Sequence, residues 1–301
     1  MQFSVGLPTD RVDAPSEFVT GDAVAEMARA AEDAGFSACY VTDHPCPDDQ
    51  WLATGGHHAL DPMVVLATAG AATTTLRLQT HVFVLAYRNP FLSAKAVLSL
   101  DRMTNGRVIL GVASGYLRPE FGALGVEFEE RNELTDEAID AMVAIWTADG
   151  VAFEGRHFRA RSATMAPRPF AQPHPPIWVG GNSKLAIRRA VERAQGWLPF
   201  PNPQAASRAL KTPPLESVED LRGRLDYAQA HARTIGRTEG LDVCCALFSR
   251  SLGRSVDVGE QRDELAQLAE LGVGWVTIGF SADTRAEWRK QLDGFARDFV
   301  A

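Results

Sequence analysis

The chain is poor in cysteine and short of positive charge. Its four cysteines, Cys39, Cys46, Cys244 and Cys245, form neither a C-x-x-C pair nor a zinc spacing. Cys39, Cys244 and Cys245 stand in apolar runs and read as small buried hydrophobes, which suits a reducing cytoplasm. Lys and Arg together number 30 against 38 Asp and Glu, a formal net charge of -8. No basic block offsets this balance, and phosphate backbones need clustered cations, so nucleic acid is excluded as a partner. An anionic ligand must instead be held by a local patch or by helix N-termini. No apolar run reaches the length of a bilayer span, and the first residues lack a basic leader. The expectation is a cytoplasmic protein with no membrane partner.

The common catalytic signatures are missing too. No G-x-G-x-x-G follows the first strand, and there is no G-x-x-x-x-G-K-[ST], H-E-x-x-H or G-x-S-x-G. No H-x-H follows the first strand, which argues against a barrel metallohydrolase. His57 and His58 are adjacent in a loop and read as a solvated pair, so no metal site is expected.

What is there is an alternation. Short apolar runs at 3–7, 38–41, 78–85, 108–113, 177–179, 196–198, 242–248 and 275–278 read as strands. Between and after them lie helical patterns at 22–34 (with Asp22 as cap), 62–73 (Asp61 as cap), 90–103, 136–148, 184–194, 218–235, 261–271 and 285–299. Residues 153–158 read as a hairpin excursion. Eight strand–helix units in 301 residues predict one α/β domain over 1–301, a (β/α)8 TIM-type barrel with insertions in the loops at its C-terminal mouth. An open doubly wound sheet is the alternative. The loops after the second, fourth and sixth strands are the long ones, and they open where a barrel places its chemistry.

Three strand ends carry candidate residues. Asp43-His44 ends the second strand, and an imidazole there can move protons near neutrality. Ser114-Gly115-Tyr116 ends the fourth, where small residues let a flat ring approach the backbone, with Glu120 following in the loop. Gly180-Gly181-Asn182-Ser183 joins the fifth strand to a helix whose first amides, with Lys184 and Arg188 nearby, can hold a phosphate. Trp51, Tyr87, Tyr116, Trp178, Trp197 and Phe200 lie near strand ends, where some could wall a ring-shaped ligand and most are packing.

Taken in order, several segments resemble the bacterial luciferase-like superfamily, in its branch of deazaflavin (coenzyme F420)-dependent oxidoreductases. They include Ala30-Ala31-Glu32-Asp33-Ala34-Gly35-Phe36, Val41-Thr42-Asp43-His44 and Arg88-Asn89-Pro90. Leu100-Asp101-Arg102-Met103-Thr104-Asn105-Gly106-Arg107, the strand and turn from Val108 to Tyr116, and Ile177-Trp178-Val179-Gly180-Gly181-Asn182-Ser183 continue the match over roughly residues 1–200. The resemblance implies a cofactor ring across the barrel mouth, with His44 and Glu120 in the catalytic positions. It puts Asp43, Thr80, His81, Val82, Ser114, Gly115, Tyr116, Gly180, Gly181, Asn182 and Ser183 around the cofactor. It also implies a non-proline cis peptide near His81-Val82. The chain departs from the family at His81, where a small residue is usual, and at Gln195-Gly196-Trp197, where Asp-Gly usually precedes the tryptophan. The expected activity is hydride transfer between coenzyme F420 and a small organic substrate. The alternatives are an FMN-dependent monooxygenase and a non-catalytic flavin or deazaflavin carrier. Arg88, Lys95, Arg118, Lys184 and Arg188 are the cations available for an anionic tail, and a homodimer is expected by analogy.

Overall fold

The computed structural model describes residues 1–254 and 256–300. In chain order the elements are β1 (Gln2–Gly6), α1 (Pro15–Phe18), α2 (Gly21–Asp33), β2 (Ala38–Val41), α3 (Asp49–Ala53), α4 (Pro62–Ala72), β3 (Arg77–Thr80), β4 (Phe83–Val84), α5 (Pro90–Met103), β5 (Val108–Ala113), α6 (Arg118–Ala123) and α7 (Arg131–Thr147). There follow β6 (Val151–Glu154), β7 (Arg159–Ala163), β8 (Ile177–Gly180), α8 (Lys184–Arg193), β9 (Gly196–Leu198), α9 (Val218–Thr234), β10 (Asp242–Ala246), α10 (Phe248–Ser251), α11 (Val258–Glu270), β11 (Trp275–Ile278) and α12 (Arg285–Phe295).

Every barrel pairing is parallel, and the ring closes. β1 lies between β2 (Ser4 opposite Ala38) and β11 (Gln2 opposite Trp275). On the far side β3 pairs with β5 (Leu78 opposite Val108), and β5, β8, β9, β10 and β11 complete the circuit. This is the TIM-type barrel that the alternating pattern predicts, and the open sheet is excluded. β6 and β7 form the expected antiparallel hairpin outside the ring.

Three expectations about local structure are corrected. The single strand at 78–85 is two segments: a cis peptide at His81-Val82 separates β3 from β4, and residues Leu85–Tyr87 form a 3-10 turn. The cap of α2 is Thr20, whose hydroxyl accepts the Ala23 N–H at 3.1 Å, and Asp22 sits in the first turn beside the positive end of the helix dipole. α7 starts at Arg131, ahead of the apolar periodicity that begins near 136, because its polar first turn packs against the preceding turn with Arg131 over the Phe128 ring at 3.9 Å. That early start brings Arg131 and Asn132 to the barrel mouth.

The apolar residues sort into two layers. The larger lies between the strands and the helices. The smaller plugs the barrel itself: Ala38, Ile109, Trp178, Leu198, Cys244 and Trp275 fill the lower interior, with the two tryptophan rings edge to face at 5.3 Å. With this plug in place, a cavity inside the barrel must lie above it, toward the C-terminal ends of the strands. Cys39 and Cys244 are fully buried, and burial lifts both thiols to about 12, which makes them inert packing residues. Among the described residues no helix is long and apolar enough to cross a membrane.

One surface contact locks the return into β3. The Glu32 carboxylate at the end of α2 accepts the N–H groups of Thr74, Thr75 and Leu76. Partial burial would raise its pKa, but the Thr75 and Leu76 amides, the Thr75 hydroxyl and the Thr74 amide outweigh that and bring it to about 2. A carboxylate depressed in the folded state stabilises the fold above its unfolded pKa and loses that contribution as pH falls toward the folded one. The wild-type protein should therefore be more stable than Glu32→Gln at pH 7, and the gap should close between about pH 4.5 and 2. Urea melts of both proteins across that range check it, and a gap independent of pH would refute it.

Candidate active site at the barrel mouth

A cavity of about 370 Å³ opens at the C-terminal ends of the strands. Its wall contains Asp43, His44, His81, Val82, Ser114, Gly115, Tyr116, Gly180, Gly181 and Ser183, so strand ends distant in sequence converge on one space. Thr80, Glu120 and Asn182 lie behind this wall. Thr80 is buried with its hydroxyl on the Gly111 carbonyl. Trp178 belongs to the barrel plug, and Trp197 is buried with its indole N–H on the Gly181 carbonyl at 2.8 Å. Tyr87, Tyr116 and Phe200 do line the cavity.

At one end of the cavity His44 is held by a buried carboxylate. Glu120 is 0% exposed and accepts three hydrogen bonds: His44 Nδ1 at 3.2 Å, the Tyr87 hydroxyl at 2.7 Å and the Cys46 N–H at 3.1 Å. Burial would raise its pKa, but the bonds from His44, Tyr87 and Cys46 prevail and hold it below the ordinary carboxylate value. An ionised carboxylate only accepts, so His44 carries its proton on Nδ1. Nε2 then carries the lone pair, which the Tyr116 hydroxyl approaches at 3.4 Å. Burial, and then the Glu120 charge, push the Tyr116 phenol up to about 12, so it remains a proton donor at neutral pH. Trp51, on the short helix α3, lays its ring 4.4 Å from that of His44.

Asp43 supports the wall next to His44. Arg88 grips its carboxylate through two bonds of 2.7 and 2.8 Å, and the Val84 N–H donates to it at 2.9 Å. The guanidinium also lies over the Phe83 ring at 4.1 Å. Asp43 thus ties the end of β2 to β4, just beyond the cis peptide. His81 forms part of the cavity wall and meets the Tyr40 ring edge to face at 4.9 Å. Burial depresses its pKa to about 4, so it is neutral, and its Nδ1 has no hydrogen-bond partner among the described residues.

The start of α8 also borders the cavity. Ser183 caps α8 by accepting the Ala186 N–H, and the amides of Lys184 and Leu185 ahead of it have no intrahelical acceptors. Asn182 is buried and does structural work: its side chain bonds the Phe200 N–H and carbonyl, Asn202 and the Pro213 carbonyl, and its own N–H donates to Thr212. It thereby pins the two ends of the long loop at 199–216, whose Leu210, Lys211 and Thr212 reach the cavity. The cations differ from those expected. Lys184 lies over the Tyr227 ring and Arg188 donates to its hydroxyl, both away from the cavity. Arg88 is bound to Asp43, Lys95 donates to the Ala166 carbonyl, and Arg118 pairs with Glu129. Instead Arg131, Arg189 and Lys211 line the space. Arg189 is nearly fully buried, paired with Asp136 and donating to Ser114.

These residues fit a flavin-type cofactor. The wall between Gly115 and Gly180 has no room for larger side chains: a Cβ at Gly180 would stand 3.1 Å from Val82, and Gly115 has φ +77° with Val84 2.8 Å from its Cβ position. The backbone at these two glycines thus stands close to Val82 and Val84, and the same cavity is bordered by the start of α8 and by Arg131, Arg189 and Lys211. No group of three or more potential metal ligands occurs among the described residues.

Sequence reasoning missed His57, which lines the cavity with its ring 5.0 Å from that of His44. It is not part of a solvated pair; only His58 is exposed. The helix α3 folds the loop back so that Trp51 and His57 meet His44, and no motif announces that turn. Arg131, Asn132, Arg189 and Lys211 were missed as well, because they come from helix faces and a loop with no signature.

The luciferase-like monooxygenase family matches residues 1–293. An uncharacterized protein of Mycobacterium tuberculosis is 29% identical over 289 residues, covering 89% of this chain and 92% of that protein. An FMNH2-dependent dimethylsulfone monooxygenase of Pseudomonas putida is 32% identical over 200 residues (65% of this chain, 50% of the relative). An F420-dependent glucose-6-phosphate dehydrogenase of Nakamurella multipartita is 34% identical over 178 residues (58% of this chain, 51% of the relative). The crystal structure of a monooxygenase from Streptomyces bottropensis superposes with a TM-score of 0.76 at 20% identity, covering 100% of this chain and 99% of that one. A match running almost from end to end, on a closed barrel with its cavity at the strand C-termini, makes this chain a member of the luciferase-like family, whose oxidoreductases use F420 or a flavin.

Proposed function

We propose that this protein binds coenzyme F420 at the barrel mouth and transfers a hydride between it and a small organic substrate. The observation that carries this reading is the His44–Glu120 pair, a proton-handling group on the wall of the same cavity as the Gly180–Ser183 turn. The bound deazaflavin would supply the hydride chemistry, and the protein supplies orientation and charge. Gly180, Gly181, Ser183 and the first turn of α8 would hold its phosphate, and Val82, Ser114 and Gly115 would flank its ring. His44 Nε2 would take a proton from a substrate hydroxyl as the carbon beside it is oxidised, or return it in the reverse direction. Glu120 keeps the ring in the accepting tautomer and stabilises the imidazolium that forms. Arg131 and Lys211 on the cavity wall, together with Arg118, act on the Glu129 carboxylate and hold its pKa down. These three cations are the groups that would meet an acidic tail, despite the chain's negative net charge.

The second reading is an FMN-dependent monooxygenase, favoured by the 32% identity to the FMNH2-dependent relative. Fluorescence titration of the purified protein with F420 and with FMN separates the two. Micromolar binding of F420, weakened by Arg131→Ala and by salt, is the expected result. Binding of FMN alone would move the assignment to oxygen chemistry. If F420 binds but no substrate in a panel of alcohols and ketones changes its absorbance, the protein is a carrier.

A further inference from the structure

We propose that His57 is a substrate-binding residue that accepts a hydrogen bond from a hydroxyl group, and that the substrate of this site is a small polyhydroxylated compound. The inference rests on the hydride-transfer reading for its context, but its geometry stands apart from the cofactor. His57 Nδ1 lies 2.9 Å from the His58 carbonyl, which can only accept, so that nitrogen carries the proton. Nε2 is left as a lone pair with no partner among the described residues, on a side chain that lines the cavity. His44 is in the same tautomer, fixed by Glu120. Two imidazoles with centroids 5.0 Å apart thus both present acceptors at one end of the space. Burial, as the largest influence, lowers the His57 pKa and keeps this ring neutral.

Such a pair selects by charge and by hydrogen-bond polarity. A carboxylate or phosphate would bring lone pairs against lone pairs, with Glu120 behind them, while Arg131 and Lys211 elsewhere on the wall offer it a better partner. A compound with adjacent hydroxyls donates to both nitrogens: one hydroxyl to His57, and the one on the reacting carbon to His44. Tyr116, which lines the cavity with its ring 5.8 Å from that of His44, supplies an aromatic face on which the C–H groups of a polyol pack, and Trp51 backs both imidazoles at 4.4 Å from His44 and 5.5 Å from His57. A hydrocarbon of the same size would leave the His57 acceptor unpaired in a half-buried corner, with His44 Nε2 met only by the Tyr116 hydroxyl at 3.4 Å.

The test uses apo protein with 15N-labelled histidine, followed by long-range 1H–15N spectra during titration with glycerol, 1-propanol and propionate. His57 should show the Nδ1–H tautomer. Glycerol should shift its Nε2 resonance, with 1-propanol weaker and propionate without effect at equal ionic strength. His57→Phe should weaken glycerol binding, read from the His44 resonances, by about tenfold, while His57→Gln, which keeps an acceptor, should recover part of it. An Nε2–H tautomer at His57, equal responses to glycerol and propionate, no response to glycerol at all, or an unchanged glycerol affinity in His57→Phe would each overturn the proposal. F420 titration of the same His57→Phe sample tests the cofactor reading separately: loss of F420 binding in wild type and variant alike condemns that reading and leaves this one to be judged on the glycerol data.

Discussion

Replacing Glu120 with Gln is expected to slow hydride transfer by about 100-fold or more, with little change in F420 affinity. The carboxylate does not touch the cavity; it acts through His44, as a positioning residue. One of its oxygens takes both His44 Nδ1 and the Tyr87 hydroxyl, and the other takes the Cys46 N–H. A glutamine can satisfy only one side as an acceptor. With its carbonyl oxygen toward His44, its amide confronts the Cys46 N–H donor to donor. Flipped, the amide donates to His44 Nδ1 and drives the ring proton to Nε2, so the nitrogen facing the cavity is no longer a base. In both orientations the negative charge that stabilises the imidazolium is gone. A purely structural role would lower the melting temperature and the amount of active protein without altering the chemistry of the remainder. The discriminating readouts are therefore the single-turnover rate at saturating substrate, its pH profile and the His44 tautomer by 15N NMR. An unchanged rate in folded Glu120→Gln would remove His44 and Glu120 from the mechanism. Glu120→Ala should be worse for folding, since it leaves three donors unpaired in the interior, at about 1–3 kcal/mol each.

The barrel was legible because its signals are periodic. The strands 108–113, 196–198 and 275–278 and the Pro62 and Pro90 helix starts come straight from apolar runs, proline and capping residues, and the structure has them at those positions. The resemblance marked His81-Val82 for a cis peptide, and one is present there, but apolar character alone read 78–85 as one strand, since nothing in composition reports a turn of the backbone inside a buried run. The site was legible only in part. Residues at strand ends, such as His44, Ser114 and Gly181, follow from topology, because a parallel barrel must bring those ends together. Residues that reach the cavity from a helix face or a folded-back loop do not follow. Arg189 reads like any charged residue of an amphipathic helix until its distance to Asp136 and Ser114 is known. His57 depends on how 49–53 folds, a five-residue helix too short to propose from sequence.

A large loss of stability from a single added methyl group is expected at Gly111→Ala. Gly111 sits in the middle of β5, and its Cβ would lie 2.1 Å from the Thr80 carbonyl oxygen and 2.9 Å from the Leu198 side chain. The leucine can turn away, but the carbonyl belongs to the end of β3 and cannot move without taking the strand with it. Thr80 also donates its hydroxyl to the Gly111 carbonyl at 2.7 Å, so the same displacement breaks that bond inside a dry core. Overpacking against backbone costs about 1–3 kcal/mol, and a buried hydrogen bond lost with it adds about 1–3 more, a large share of the stability of a single domain. The damage should spread upward, since Thr80 immediately precedes the His81-Val82 segment that walls the cavity. A variant that still folds should therefore bind F420 more weakly than wild type, although the substituted residue lies outside the cavity. Urea melts with a parallel F420 titration test both halves of this expectation. Gly122→Ala is the matching control: it lies on the short helix α6 with nothing within 4 Å of its Cβ position, so the same added methyl should leave stability and binding unaffected. If Gly111→Ala were as stable as that control, close packing between β3 and β5 would not be what requires glycine here.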